Sequence, residues 1–249
     1  MTPGNPELAA ALTDVEPAPA RRSASILLVD GATVPWRVLM MRRPRGADFA
    51  PNAYVFPGGS VSPDDEMQVD PTRGAALREL WEEVGLLLAY RTGARGRVLA
   101  RTDEANRVRA LAGRGVGFWP ALAQLGLQPA FDRLVLCTRW ITPLRIRRRY
   151  DTHFFVARAP RGQAIAPQAG EVDDWRWVTA REAIDDDRLG LVYATRRILE
   201  LVGAEPDATA LLRRLRRRRE RAPVMPTITE VDGGVAIGDG AAPLFRARR

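Results

Sequence analysis

The sequence predicts a single α/β or α+β domain. Strand-like segments lie on both sides of one central helical segment, and further helices follow the last of them. The connections are too irregular for a doubly wound sheet. Neither a Gly-x-Gly-x-x-Gly opening a helix nor a Walker-type Gly-Lys-Ser/Thr is present, which disfavours the common nucleotide folds.

The elements follow in chain order. Residues 1–22 are rich in Ala and Pro and are expected to form a flexible tail, with a short helical turn near Leu8. Ser23–Asp30 reads as a strand, GATVP as a turn and WRVLMMRR as a second strand, so the two are expected to pair as a hairpin. A turn-rich stretch leads through FPGG, where Gly58 and Gly59 are expected to lie in a turn. Ala75–Val84 has helical periodicity, and Gly85 stands where a C-terminal cap would. Residues 97–127 read as helices or a lid-like insertion. RLVLCTRWITP and DTHFFVARAP read as strands, and DWRWV as a short strand before a helix capped by Thr179. LVYATRRILELV and DATALLRRLRRRRERA are helical, and TITEVDGGVAIG reads as a late hairpin over Gly233–Gly234.

Composition limits the function classes. A hydrophobic fraction of 46% and 6 Trp supply a core, so disorder of the whole chain is excluded. Trp119, Trp140, Trp175 and Trp177 are expected in that core, with one of them able to stack on a base or acyl chain. The single cysteine, Cys137, sits in an apolar run and is expected to be a buried thiol. His153 is the one histidine and is read as structural. With no His/Cys cluster and no Gly-x-Ser-x-Gly, a zinc site and a serine or cysteine triad are disfavoured. No apolar stretch reaches the roughly 18–20 residues of a membrane span, and no basic-then-apolar leader opens the chain, so a cytoplasmic protein is expected. The formal charge is +8 and every basic side chain is arginine, whose planar fork suits phosphate and carboxylate. Residues 211–221 form a basic amphipathic pattern with Leu211, Leu212 and Leu215 as its apolar stripe. It is read first as a solvated surface helix, with membrane-surface or nucleic-acid contact as the alternative.

The chemistry concentrates in RELWEEVGL, residues 78–86. On a helix Glu79, Glu82 and Glu83 fall on one side within a turn of each other, where like charges repel by roughly 0.2–0.5 kcal/mol per pair. Such carboxylates either spread into solvent or share a cation, and hard oxygen donors suit Mg²⁺ or Mn²⁺. Glycines at 58 and 59 permit close backbone approach to a ligand.

Together, FPGG and AALRELWEEVGLLL resemble the signature of the Nudix hydrolases, Gly-x5-Glu-x7-Arg-Glu-U-x-Glu-Glu-x-Gly-U, where U is a bulky aliphatic residue. Gly59 matches the opening glycine, and Arg78, Glu79, Leu80, Glu82, Glu83, Gly85 and Leu86 match the second half. Asp65 stands where the pattern has its first Glu, and twelve residues rather than seven separate it from Arg78. Asp64, Asp65, Glu66 or Asp70 are therefore candidates for the acidic place. The enlarged loop and the later TRWITP, RRYDTHFFVA and GEVDDWRWVTAREAI resemble the subfamily that includes coenzyme A diphosphatases. The upstream coenzyme A pattern is kept at Leu39 and Arg43 and departs at Met41, Asp48 and Asn52.

The resemblance implies a Nudix-fold α/β/α sandwich with a mixed β-sheet, a single domain over 23–249 with extra C-terminal helices and its signature box at roughly 59–86. It implies Mg²⁺- or Mn²⁺-dependent hydrolysis of a diphosphate bond in a nucleoside-diphosphate-linked small molecule, with coenzyme A or an acyl-coenzyme A first among the substrates. The metal ligands it implies are Glu79, Glu82 and Glu83. The base is Glu79 or an acid of the later loop, Glu171 first and then Asp173 or Asp174. Arg78 is expected to orient a box carboxylate, Gly58 and Gly59 to admit metal and phosphate, and Arg42 and Arg43 to bind substrate phosphate. A ligand-binding regulator without hydrolysis is the competing class, and nucleic-acid or membrane association through the arginine helix is a third. No nucleic-acid partner is expected. Oligomeric state is left open.

Overall fold

A computed structural model describes residues 12, 18–31, 34–47, 49–218, 222–231 and 234–238. The expected helical turn near Leu8, Asp48 and the tip of the late hairpin at Gly233 lie outside the described residues.

The central sheet is built around β1 (Arg21–Asp30), whose interior is buried over seven consecutive residues. Such a run is the mark of a strand covered on both faces. β1 pairs in parallel with β8 (Tyr150–Arg158) along nearly its whole length, and antiparallel with β2 (Arg37–Arg42), which is the expected hairpin. β7 (Val135–Ile141) lies outside β8, and β3 (Tyr54–Val55) and β9 (Asp174–Val178) both pair with β2. β4 (Gly58–Ser60) pairs antiparallel with the start of β1. One parallel pairing among antiparallel ones makes the sheet mixed, as predicted.

Alternate residues of the strands feed opposite faces. Ile26, Leu28, Leu39 and Met41 pack with Leu77, Leu80 and Val84 of the box helix, α2 (Pro71–Val84). Leu27, Val29, Val38 and Met40 pack with Ile198, Leu199, Leu211 and Leu215 from α6 (Tyr193–Gly203) and α7 (Ala208–Arg217), two of the three helices that follow β9. The third, α5 (Ala180–Asp185), starts at Thr179, whose side chain accepts from the Glu182 N–H as predicted. The result is an α/β/α sandwich.

Residues between Leu87 and Leu127 build a third, smaller core with Trp81. A two-stranded sheet of β5 (Ala89–Arg91) and β6 (Leu127–Pro129) and two helices, α3 (Thr102–Ala112) and α4 (Phe118–Gln124), gather around Trp81 on the outer side of the box helix. The segment read as helices or a lid is thus a packed buttress on α2.

Other expectations are corrected. β1 begins at Arg21, two residues before the predicted Ser23, and Leu12 makes an isolated bridge to Ile146. The box helix begins at Pro71, four residues early, because Asp70 caps it by accepting from the Arg73 N–H at 3.1 Å and Pro71 supplies the first turn. Gly58 and Gly59 are strand residues, not a turn. Trp140 is buried, whereas Trp119 and Trp177 are half-buried and Trp175 is 37% exposed. The late hairpin forms, as β10 (Thr227–Val231) with β11 (Gly234–Gly238), in a sheet of its own. Cys137 is buried and free, as expected, its thiol pushed up to about 12 by desolvation. His153 stacks on Phe155, and burial lowers its pKa. Among the described residues no helix is long and apolar enough to cross a membrane.

Candidate functional site

The site forms where α2 lies across β4. The helix ends at Gly85, which takes the left-handed conformation (φ 76°) and donates its N–H to the Trp81 carbonyl at 2.9 Å. That conformation is cheap only for glycine. The next free carbonyls of the helix are taken by the loop before β9: the Gln168 N–H donates to the Glu83 carbonyl and the Ala166 N–H to the Val84 carbonyl, both at 2.9 Å. These bonds fasten the 161–172 loop, and with it Glu171, to the end of the box helix.

Close approach between α2 and β4 requires the two glycines. A Cβ on Gly58 would stand 2.3 Å from the Ala24 carbonyl oxygen and 2.6 Å from the Ser25 Cα. A Cβ on Gly59 would stand 2.3 Å from Oε1 of Glu79. The bare backbone therefore admits the Glu79 carboxylate on one side and β1 on the other. The Gly58 N–H donates to Oε2 of Glu83 at 2.8 Å, fixing that side chain toward the strand.

Arg78 ties the rest together. Its Nη2 lies 2.8 Å from Oδ2 of Asp65 and 2.9 Å from Oε1 of Glu79, its Nη1 donates to Oε2 of Glu82 at 2.6 Å, and Nη2 also donates to the Ser60 carbonyl at 3.0 Å. These ion pairs reach three carboxylates, those of Asp65, Glu79 and Glu82. Asp65 is fully buried in α1 (Pro63–Glu66), where its carboxylate also accepts from the Ser62 N–H at 2.9 Å and from Trp119 Nε1 at 3.0 Å. Of the four acids weighed for the first acidic place, Asp65 is the one turned to Arg78. Asp70 caps α2, and Glu66 pairs with Arg22.

The surroundings push the acids in different directions. Burial would raise Asp65, but its hydrogen bonds from Arg78 and Ser62 hold it below the usual carboxylate range. Desolvation dominates at Glu79, which is pushed up to about 7 despite Arg78. Glu83 is driven well above 4.5 by desolvation and by the neighbouring Glu79 charge, against the Gly58 N–H and Arg43. Glu82 is raised by partial burial, and the Glu171 charge adds to both Glu82 and Glu83.

The remaining predicted residues divide. Glu171 is exposed, accepts from Gln168 Nε2 at 3.2 Å and shares with Glu82 a groove about 470 Å³ in volume. Asp174 is turned away, accepting from the Tyr54 hydroxyl and from Arg176 Nε at 3.1 Å, and Asp173 is exposed. Arg43 follows the end of β2 and its charge reaches Glu83, while its Nε donates to the Phe49 carbonyl at 2.8 Å. Arg42 lies instead near Tyr54, its Nε buried with no hydrogen-bond partner.

Among the described residues no three acidic, histidine or cysteine side chains converge as a ready-made metal shell. Arg78 draws Glu82 outward and shares Glu79. The donor chemistry nevertheless fits a hard divalent cation. Glu79 and Glu83 are neighbouring carboxylates, buried so that both resist ionising together, and a cation between them would relieve that. Sequence reasoning missed Trp119, which carries no local signal for its contact with Asp65, and Ser62, whose capping-box spacing to Asp65 with Pro63 between them was a local signal left unread.

Residues 19–118 match the NUDIX domain family. A Caenorhabditis elegans relative named nudix hydrolase 7 is 32% identical over 68% of this chain and 55% of its own length. A Xenopus laevis relative named acyl-coenzyme A diphosphatase NUDT19 is 24% identical over 62% of this chain and 55% of its own. The chain thus spans just over half the length of these curated relatives. A crystal structure of a NUDIX hydrolase from Alicyclobacillus acidocaldarius has the same fold, with a TM-score of 0.66 and 24% identity over 79% of this chain and 96% of that one.

Proposed function

We propose, from the premise that this chain carries a Nudix domain on a Nudix fold, that it hydrolyses the diphosphate bond of a nucleoside-diphosphate-linked small molecule. The observation that carries the reading is that Glu79, half-buried and paired with Arg78, and the buried Glu83 are held side by side against the Gly58–Gly59 backbone.

Glu79 and Glu83, with Glu82 released from Arg78, are the residues that would hold Mg²⁺ or Mn²⁺. The ion would supply neutralisation of the diphosphate and stabilisation of the departing phosphate. The chain's own groups do the rest. Glu79 is the first candidate to accept the proton of the attacking water as the water oxygen bonds to phosphorus and the anhydride P–O bond breaks, the departing phosphate keeping the bridging oxygen. Glu171 is the second candidate for that proton. Arg78 is a positioning residue, since its hydrogen bonds go to protein carboxylates and a carbonyl. Arg43 supports a phosphate contact at the same end of the sheet; Arg42 has less support because it lies toward Tyr54.

Coenzyme A or an acyl-coenzyme A is the first substrate to test, on the strength of the Xenopus relative's name and the loop resemblance. The test is phosphate release with Mg²⁺ over coenzyme A, acyl-coenzyme A, ADP-ribose and a dinucleoside polyphosphate. Turnover of one of these, lost in Glu83→Gln, is the expected result. A folded, Mg²⁺-supplied sample that turns over nothing, with Glu83→Gln binding Mg²⁺ as well as the natural chain, would leave the ligand-binding class as the better reading.

A further inference from the structure

We propose a second anion site, separate from the box, that takes a compact polyphosphate. It lies between α7, the end of β8 and the segment before β7, in a groove of about 480 Å³. Arg133, Arg158, Arg213, Arg216 and Arg217 line it, and among the described residues no carboxylate does. Five like charges converging on one concavity repel each other, Asp207 offsets only part of the Arg213 charge, and guanidinium forks are suited to the phosphate oxygens of an anion that would offset the rest.

The arginines come from three parts of the chain. Arg213, Arg216 and Arg217 are exposed on α7, Arg158 ends β8, and Arg133 precedes β7. Two of them are held in place. Arg133 Nε donates to the Tyr90 hydroxyl at 2.9 Å and its guanidinium sits 5.7 Å over the Tyr90 ring. Arg158 donates to the Thr209 hydroxyl, and its guanidinium occupies the space that Gly31 leaves: a Cβ there would stand 2.1 Å from Nη1. Such preorganisation lowers the cost of binding.

The convergence favours a small ligand over a macromolecule. A helix that grips nucleic acid or a lipid surface presents its basic side chains outward along a ridge. Here Arg133 and Arg158 face the α7 arginines across a hollow, which suits three or four phosphate charges within a short reach.

The experiment is calorimetric titration of the full chain with inorganic tripolyphosphate in EDTA, which removes any metal from the box. One equivalent is expected to bind, with affinity falling as salt rises. Arg213→Ala combined with Arg216→Ala should weaken binding roughly tenfold or more, at about 1.4 kcal/mol per tenfold, with thermal melting unchanged. Gly31→Ala, which would displace Arg158, should also weaken it, while Glu83→Gln should not. Equal affinity in the double arginine variant would overturn the site. So would tighter binding of a single-stranded oligonucleotide or of phosphatidylserine vesicles than of tripolyphosphate, at matched salt and lost in the same variant.

Discussion

Arg78 touches three carboxylates, and the fully buried Asp65 among them decides what its loss would do. Breaking a buried pair strands a charge and costs about 3–5 kcal/mol, whereas replacing both partners by apolar groups is often neutral. Arg78→Gln is expected to destabilise by that amount in urea unfolding, and Arg78→Met with Asp65→Leu to recover most of it while leaving activity low. Glu79 makes a pH prediction. Its pKa in the fold is raised to about 7 from 4.5, so the stability it contributes is complete below about 4.5 and is lost as pH rises through 7. Glu83 adds in the same direction. The metal-free chain should therefore melt at lower temperature at pH 7.5 than at pH 5, and added Mg²⁺ should raise the melting temperature more at pH 7.5. A metal-free melting temperature that does not fall over this range would contradict the buried pair. The spacing of the glutamates was legible because each lies within one helical turn. Asp65 was not separated from Asp64, Glu66 and Asp70, because five extra loop residues hide the register and two of its partners, Trp119 and Arg78, meet it only in the folded chain, although its capping-box spacing from Ser62 was a local signal.

At the scale of elements, the box helix shows what local pattern reveals and where it stops. Its periodicity and Gly85 cap were readable, as was Thr179 as the cap of the helix after β9. Asp70–Pro71 is also a start signal, but it lies in a loop of many acids. The strand character of Gly58–Ser60 left no trace, because glycines have no alternating side chains and the pairing with Ser23–Ser25 is tertiary. The helices of residues 102–124 gave weak boundaries because their core forms around the distant Trp81. Gly85 carries the prediction at this scale. An alanine there would strain a φ of 76° and bring its Cβ within 2.9 Å of the Ala166 carbonyl oxygen. Gly85→Ala is expected to cost about 1–2 kcal/mol, which lowers the melting temperature by about 2–4 °C per kcal/mol. By shifting the loop that carries Glu171, it should also reduce turnover. An unchanged melting temperature would mean the cap and its loop contact are less constrained than the geometry implies.

For the whole molecule, the question is how much chain one fold requires. The family match ends at residue 118, yet β1 depends on what comes later. Its parallel partner is β8 at 150–158, and one entire face of the sheet is covered by helices between residues 180 and 217. A chain ended after residue 118 would leave Leu27, Val29, Val38 and Met40 without the side chains that bury them. Burial is worth roughly 1.5–3 kcal/mol for each large apolar side chain, against a total stability of only about 5–15 kcal/mol for a domain. The 1–118 chain is therefore expected to show no cooperative unfolding transition by circular dichroism. A chain ended after residue 218 keeps every strand of the central sheet and α5 to α7. It loses the late hairpin and Val224, which accepts from the Ile141 N–H and donates to the Arg139 carbonyl beside Trp140. It should fold cooperatively with a lower melting temperature. A cooperative transition in the shorter chain would confine the domain to the matched residues and make the C-terminal helices, with their arginine groove, an attachment to the fold.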